Sequence, residues 1–208
     1  GRSRRIGPLP AVRRTGLHDE RSPTMACLVR AIHAAGVDAG QWPAVLEQMR
    51  ADFDASVVTI GRHEFASGAD APLYESPDDL HFSRDSAAFA ARNPWYLSSD
   101  DYVAGRVMTG DDIVSTAALK RTDFYRGFLQ PRGLLHRLCG VAAQRGSSAY
   151  LLSAYRREER GAFDAADKDQ LRSLLGHVTL SLESQWRWQE ADDMAHALLA
   201  LSDHDEHP

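Results

Sequence analysis

From residue 22 onward the apolar positions recur with a helical period, switch to β-branched runs, and end in a long amphipathic stretch. Ser22, Pro23 and Thr24 form a helix start, and Leu28, Val29, Ile32 and Ala35 follow at helical spacing until Gly36 ends the run. A second helix opens at Gln41 to Pro43, where proline suits a first-turn position, and its face is Trp42, Val45, Leu46, Met49 and Phe53. Ser56 to Arg62 is β-branched and bounded by turn residues, which predicts a strand, and Leu73 with Tyr74 marks a second one beyond the turn at 66–70.

The middle of the chain is less regular. Ser76 to Asp79 make a helix start, an alanine-rich stretch runs from Asp85 to Arg92, and Gly105 to Gly110 reads as a short strand between glycines. Ser115 to Gln130 predicts one or two helices stopped by Pro131 and Gly133. Leu134 to Gln144 and Ser148 to Arg156 are strand candidates whose connection, Arg145-Gly146-Ser147, has the length and chemistry of a hairpin turn. Asp164 then caps a long helix, with Asp167 three residues on and Leu171, Leu174, Leu175, Val178 and Leu182 along one face. If it continues to Leu201 it spans about 55 Å at about 1.5 Å per residue, so its distal half must project or pair. Two helices, a hairpin, an irregular helical middle, a second hairpin and a closing helix predict an α+β fold with an antiparallel sheet. Sensor folds of the GAF or PAS kind fit this order by analogy of topology.

Charge changes the picture of partners. Of the net charge of -5, residues 1–24 hold six arginines against Asp19 and Glu20, a balance of +4, which leaves -9 for the remainder. The arginine-rich segment, broken by Gly7, Pro8, Pro10 and Gly16, reads as a disordered basic leader. The acidic remainder lacks the clustered Lys and Arg of a duplex-binding face. No apolar run approaches the roughly 18 residues that would span a bilayer, so a cytoplasmic protein is expected. Cys27 and Cys139 form no CxxC pair and are expected to be buried free thiols.

Candidate chemistry is sparse. The sequence has no GxSxG, P-loop, GxGxxG or HExxH motif, and no cofactor is expected. The histidines are scattered without an i+4 metal partner, and the cluster at 203–207 reads as a solvated tail. Adjacent acids such as Asp78 with Asp79 and Asp111 with Asp112 suit cap and loop duty. Aromatic density stands out instead: Trp95, Tyr96, Tyr102, Phe124, Tyr125 and Phe128 lie within one irregular stretch, with His136, Ser153 and Tyr155 on neighbouring strands. Such side chains line small-molecule pockets, and they equally cover a sheet face as plain core.

Several motifs in one order carry a resemblance. Arg92-Asn93-Pro94-Trp95, Gly105 to Gly110, Leu119 to Tyr125, Phe128 to Leu134, Tyr155-Arg156-Arg157, Phe163 to Asp167 and Leu174 to Val178 together resemble the amino-terminal sensor region of LuxR-type helix-turn-helix transcriptional regulators, over about residues 26–190. The resemblance implies a GAF-like or PAS-like sensor domain at 25–190, followed by a distal helix end and acidic tail at 191–208. It also implies an unknown small-molecule effector, a homodimer formed through the C-terminal helix, and DNA contact only through a helix-turn-helix domain missing after residue 190. Two positions depart from the family pattern. Asn93-Pro94 stands where acyl-homoserine-lactone receptors carry Asp-Pro, and Gly176 replaces a proline, leaving the final helix straighter. For the effector site the candidates are Trp95 and Tyr125 as walls, Tyr102 and Phe128 next, and His136 and Ser153 as hydrogen-bonding groups. A structural dimerisation module with a vestigial pocket is the alternative, and an enzyme on a GAF-like fold has less support.

Overall fold

The computed structural model describes residues 21–77 and 81–204, and the side chains of 25–77 and 81–197. The disordered leader expected at 1–24 therefore lies outside the described residues up to residue 20, as do Asp78, Asp79 and the tail from residue 205. In chain order the elements are α1 (Arg21–Ala35), α2 (Trp42–Asp52), β1 (Val57–Glu64), β2 (Ala69–Ser76), α3 (Phe82–Ala87), β3 (Val107–Thr109), α4 (Thr116–Leu119), β4 (Leu134–Arg145), β5 (Ser148–Arg157) and α5 (Ala165–His204). The strands form one antiparallel sheet in the order β2-β1-β5-β4-β3. This is the expected α+β architecture.

Strand side chains alternate between two faces, and here both faces are covered. Val58, Ile60, Leu138, Ala142, Leu152 and Ala154 point into a core built with α1, α2 and α5. Their neighbours Val57, Cys139, Val141, Leu151 and Tyr155 point the other way, under α3, α4 and the irregular turns between them. The turn at Gly146-Ser147 and a bulge between Val141 and Ala143 together set this parity, with Gly146 at φ +61°, a conformation glycine adopts without a Cβ penalty.

α5 begins with a reciprocal cap: the Asp164 amide donates to Asp167 Oδ2 and the Asp167 amide to Asp164 Oδ1, both at 2.9 Å. Arg156 of β5 grips the same Asp167 through two nitrogens at 3.1 Å, donates to the Phe53 carbonyl at the end of α2, and lies 4.0 Å over the Phe163 ring. Strand, second helix and last helix are thus tied at one point. Leu171, Leu174, Leu175, Val178 and Leu182 are buried on the sheet, whereas every side chain from Arg187 to Ala197 is exposed. The helix runs unbroken through Gly176 and extends about 60 Å at about 1.5 Å per residue over its 40 residues.

Two expectations need correction. Cys27 is exposed, on the outward side of α1, where Arg30 Nη2 donates to its Sγ at 3.0 Å; only Cys139 is a buried cysteine. The helices expected at 115–130 shrink to the single turn of α4 and a π-helical turn at Tyr125–Leu129. The Thr122 hydroxyl bonds back to the Leu119 carbonyl and accepts from the Tyr125 amide, offering the backbone an alternative to helix continuation.

α1 crosses α5 closely because Gly36 has no side chain. A Cβ there would lie 2.9 Å from Ser181 Cα, a backbone atom that cannot swing aside. Gly36→Ala should therefore lower the unfolding free energy by about 1 to 3 kcal/mol through overpacking, read as a reduced urea midpoint with an unchanged slope.

Candidate functional site

The sheet face opposite the long helix carries a buried arginine among strand residues that are mostly apolar or small. Arg137 of β4 shares its parity with Cys139 and Val141, and its partner across the ladder is Tyr155. It is 2% exposed. Its Nη1 donates to the Tyr102 hydroxyl at 3.2 Å, and Nη2 is shared among the Tyr96 hydroxyl at 2.9 Å, Ser153 Oγ at 3.2 Å and Cys139 Sγ at 3.2 Å. The guanidinium lies 5.2 Å from the Trp95 ring centre and 5.0 Å from that of Tyr96.

None of these partners is a carboxylate, and Arg137 forms no ion pair among the described residues. Burial pushes the phenols of Tyr96, Tyr102 and Tyr155 above their ordinary range, so all three are neutral near pH 7. Burial also opposes the charge of Arg137, yet a guanidinium's ordinary pKa lies so far above neutral that it remains a cation. Hydrogen bonds to a charged group contribute about 1.5 to 3 kcal/mol each and a desolvated cation–π contact about 2 kcal/mol. These oppose a desolvation penalty of several kcal/mol for an ion taken out of water.

Local structure holds the surrounding aromatics in place. Asn93 Oδ1 accepts from the Trp95 amide at 3.0 Å and starts the helical turn Pro94–Tyr96. The Tyr102 hydroxyl donates to the Trp95 carbonyl at 2.8 Å while accepting from Arg137. His63, buried on β1, bonds Asp70 of β2 through Nδ1 at 2.6 Å and stacks on Tyr96 at 4.1 Å. Among the described residues, no cluster of three metal-ligating side chains forms.

Two openings flank the arginine. One, of about 40 Å³, lies among Thr59, His63, Asp70, Tyr96, Ser153 and Tyr155. The larger, of about 170 Å³, lies where β3 stops at Thr109 and leaves the Leu135–Arg137 edge of β4 without a strand neighbour; Trp95, Gly110 and Phe163 complete its wall. Trp95 Nε1 and Arg137 Nε, on two residues that line this cleft, are buried without a hydrogen-bond partner.

No protein-family model and no curated protein matches the sequence. Solved structures match the three-layer arrangement. The VqsR LBD domain from Pseudomonas aeruginosa aligns with a TM-score of 0.60 at 12% identity, over 81% of this chain and 98% of that one. The phycoerythrobilin-bound GAF domain of a cyanobacterial phytochrome gives 0.55 at 12% identity, over 81% and 99%. SdiA of Escherichia coli, LuxR-type like VqsR, gives 0.53 at 16% identity, over 78% and 68%. The fold is GAF-like. At these identities the likeness is one of architecture.

Within this GAF-like fold the candidate residues separate. Tyr102 and Ser153 touch the Arg137 guanidinium directly, and the Trp95 ring faces it. Phe128 packs at 4.9 Å on Phe82 and at 5.4 Å on Phe124, and Tyr125 belongs to the same aromatic cluster. His136 pairs with Arg156 on the opposite strand parity from Ser153, so the two do not converge, although His136 does line the larger cleft. Arg137 and His63 were not among the candidates. The signal available for Arg137 was a charge inside a strand otherwise apolar on its own parity, between Leu135 and Cys139.

Tyr102→Phe removes an acceptor from Arg137 and a donor from the Trp95 carbonyl in one step, with little change in shape. It should cost about 1 to 3 kcal/mol of stability, measured by chemical denaturation, because both groups stay buried after losing a partner.

Proposed function

We propose that the chain is the small-molecule-sensing and dimerisation domain of a LuxR-type transcriptional regulator. The observation that carries the reading is the cleft at the uncovered edge of β4, because it joins unpartnered polar groups to elements able to report occupancy. Gly110 and Asp111 on its wall belong to the turn after β3, and Asp112 of that turn holds Lys168 of α5 at 2.6 Å. Phe163, also on the wall, lies at the approach to α5. An effector that prefers one packing of this turn would bias the position of the long helix, with a coupling of about 1 to 3 kcal/mol typical of such systems.

The alternative of a structural module without a ligand draws on the dense stacking of Phe82, Phe89, Phe124 and Phe128. A thermal-shift screen with aromatic acids, acyl compounds and common metabolites separates the two. A sensor gains melting temperature with at least one compound class, and Trp95→Ala abolishes the gain. In a ligand-free module no compound raises the melting temperature, and Trp95→Ala acts only through lost packing, about 3 to 5 kcal/mol.

Dimerisation rests on the free half of α5, where Trp188 is 68% and Met194 67% exposed. Large apolar side chains on a projecting helix favour a self-complementary contact with a second copy. Light scattering should give twice the 23.0 kDa chain mass at micromolar concentration. Trp188→Glu combined with Met194→Glu should return the monomer, and a wild-type monomer would defeat the reading.

A further inference from the structure

We infer that the effector bears an anionic, carboxylate-like group, received by Arg137 with the Trp95 indole as second donor; the inference rests on the sensing role proposed above. Three independent features point the same way. The guanidinium is buried among groups that satisfy its Nη atoms but supply no carboxylate, while its Nε–H is left without an acceptor. The Trp95 Nε1–H is likewise buried and unpartnered. Both residues line the cleft of about 170 Å³ at the β4 edge.

Gly110 packs directly on the indole edge: a Cβ at that position would fall 2.9 Å from Trp95 Nε1, so any side chain at this point of the wall would close on the N–H. Two unpartnered N–H donors on residues of one wall, one of them part of a cation, match the two oxygens of a carboxylate better than a single neutral carbonyl. The acid on the cleft wall is already engaged, since Asp111 Oδ1 accepts from the Thr116 amide and hydroxyl, and the neighbouring Asp112, which does not line the cleft, is held by Thr109 and Lys168. They do not compete for Arg137. A cleft of this size suits a small organic acid with an apolar body against Phe163, Leu119 and Leu135.

The test uses the full chain with two matched pairs, benzoate against benzamide and hexanoate against hexanamide. Affinities are measured by calorimetry, and the Arg137 Nε–H and Trp95 Nε1–H resonances are followed by nitrogen-edited NMR. The acids should bind about ten- to hundredfold more tightly than their amides, the range expected for one charge-assisted contact, and should move both resonances downfield. Arg137→Gln should erase the preference for acid over amide, with its fold checked by circular dichroism. The wild-type resonances carry the test even if that variant does not fold.

Equal affinity of acid and amide, or acid binding that leaves both resonances in place, would overturn the anion assignment and leave a sensor for a neutral effector. Binding of neutral metabolites alone in the thermal-shift screen would do the same. Absence of any binding, to acids, amides and the whole screen, would remove the sensing role together with this inference.

Discussion

The register of the β4–β5 hairpin is the constraint on which the rest depends. With Arg137 opposite Tyr155 and Cys139 opposite Ser153, one parity puts Leu138, Ala142, Leu152 and Ala154 beneath the helices, and the other puts the guanidinium beneath Trp95 and Tyr96. A slip of one residue would exchange the two sets, driving a cation into an aliphatic helix layer and leucines against the polar cluster. A cost of several kcal/mol for an unpaired buried ion makes that alternative register much less stable than the native one. The residue that is costly to bury without partners therefore helps to specify the sheet.

Arg137 also accounts for the shape of the outer layer. A guanidinium offers its donors in one plane, and Tyr96, Tyr102 and Ser153 supply oxygens from three separate segments. Two of those segments have little regular structure of their own. The helical turn at Pro94–Tyr96 and the loop bearing Tyr102 gain a fixed place from hydrogen bonds to the cation and from Tyr102 closing on the Trp95 carbonyl. A layer assembled from single turns, which nucleate poorly alone, is ordered here by polar convergence as well as by aromatic packing.

This explains which parts could be read from the sequence. The first two helices, the β4–β5 hairpin and α5 follow from periodicity and turn chemistry, because their apolar stripes face a single large core. The stretch from Ser76 to Gly133 resisted the same reading, since its elements are three to six residues long and Ser and Thr side chains at their ends, Ser115 before α4 and Thr122 after it, bond the local backbone. Aromatic density pointed to Trp95 and Tyr102, and both touch the Arg137 guanidinium. It could not reveal Arg137, because an arginine in a strand ordinarily reads as solvent-facing and only the partner strand's register shows that both faces are covered. His63 was missed for a related reason: its partner Asp70 is seven residues away in sequence but directly opposite in the β1–β2 ladder.

α5 converts these local facts into a mechanical argument. Its first turn is fixed by the Asp164–Asp167 cap and by Arg156, and its next four turns are fixed by leucines on the sheet. Beyond Trp186 every described side chain is exposed, and the pair of Glu190 with Arg145 at 3.4 Å is a solvent-exposed one. A helix anchored at one end and free at the other moves as a lever, so a small rotation at the anchored turns becomes a larger displacement along the projecting half. The turn carrying Asp112 meets the helix at Lys168, within that anchored region and beside the cleft. A ligand there would act at the short arm of the lever, and the exposed Trp188 and Met194 lie on the long arm, where a second copy would read the displacement.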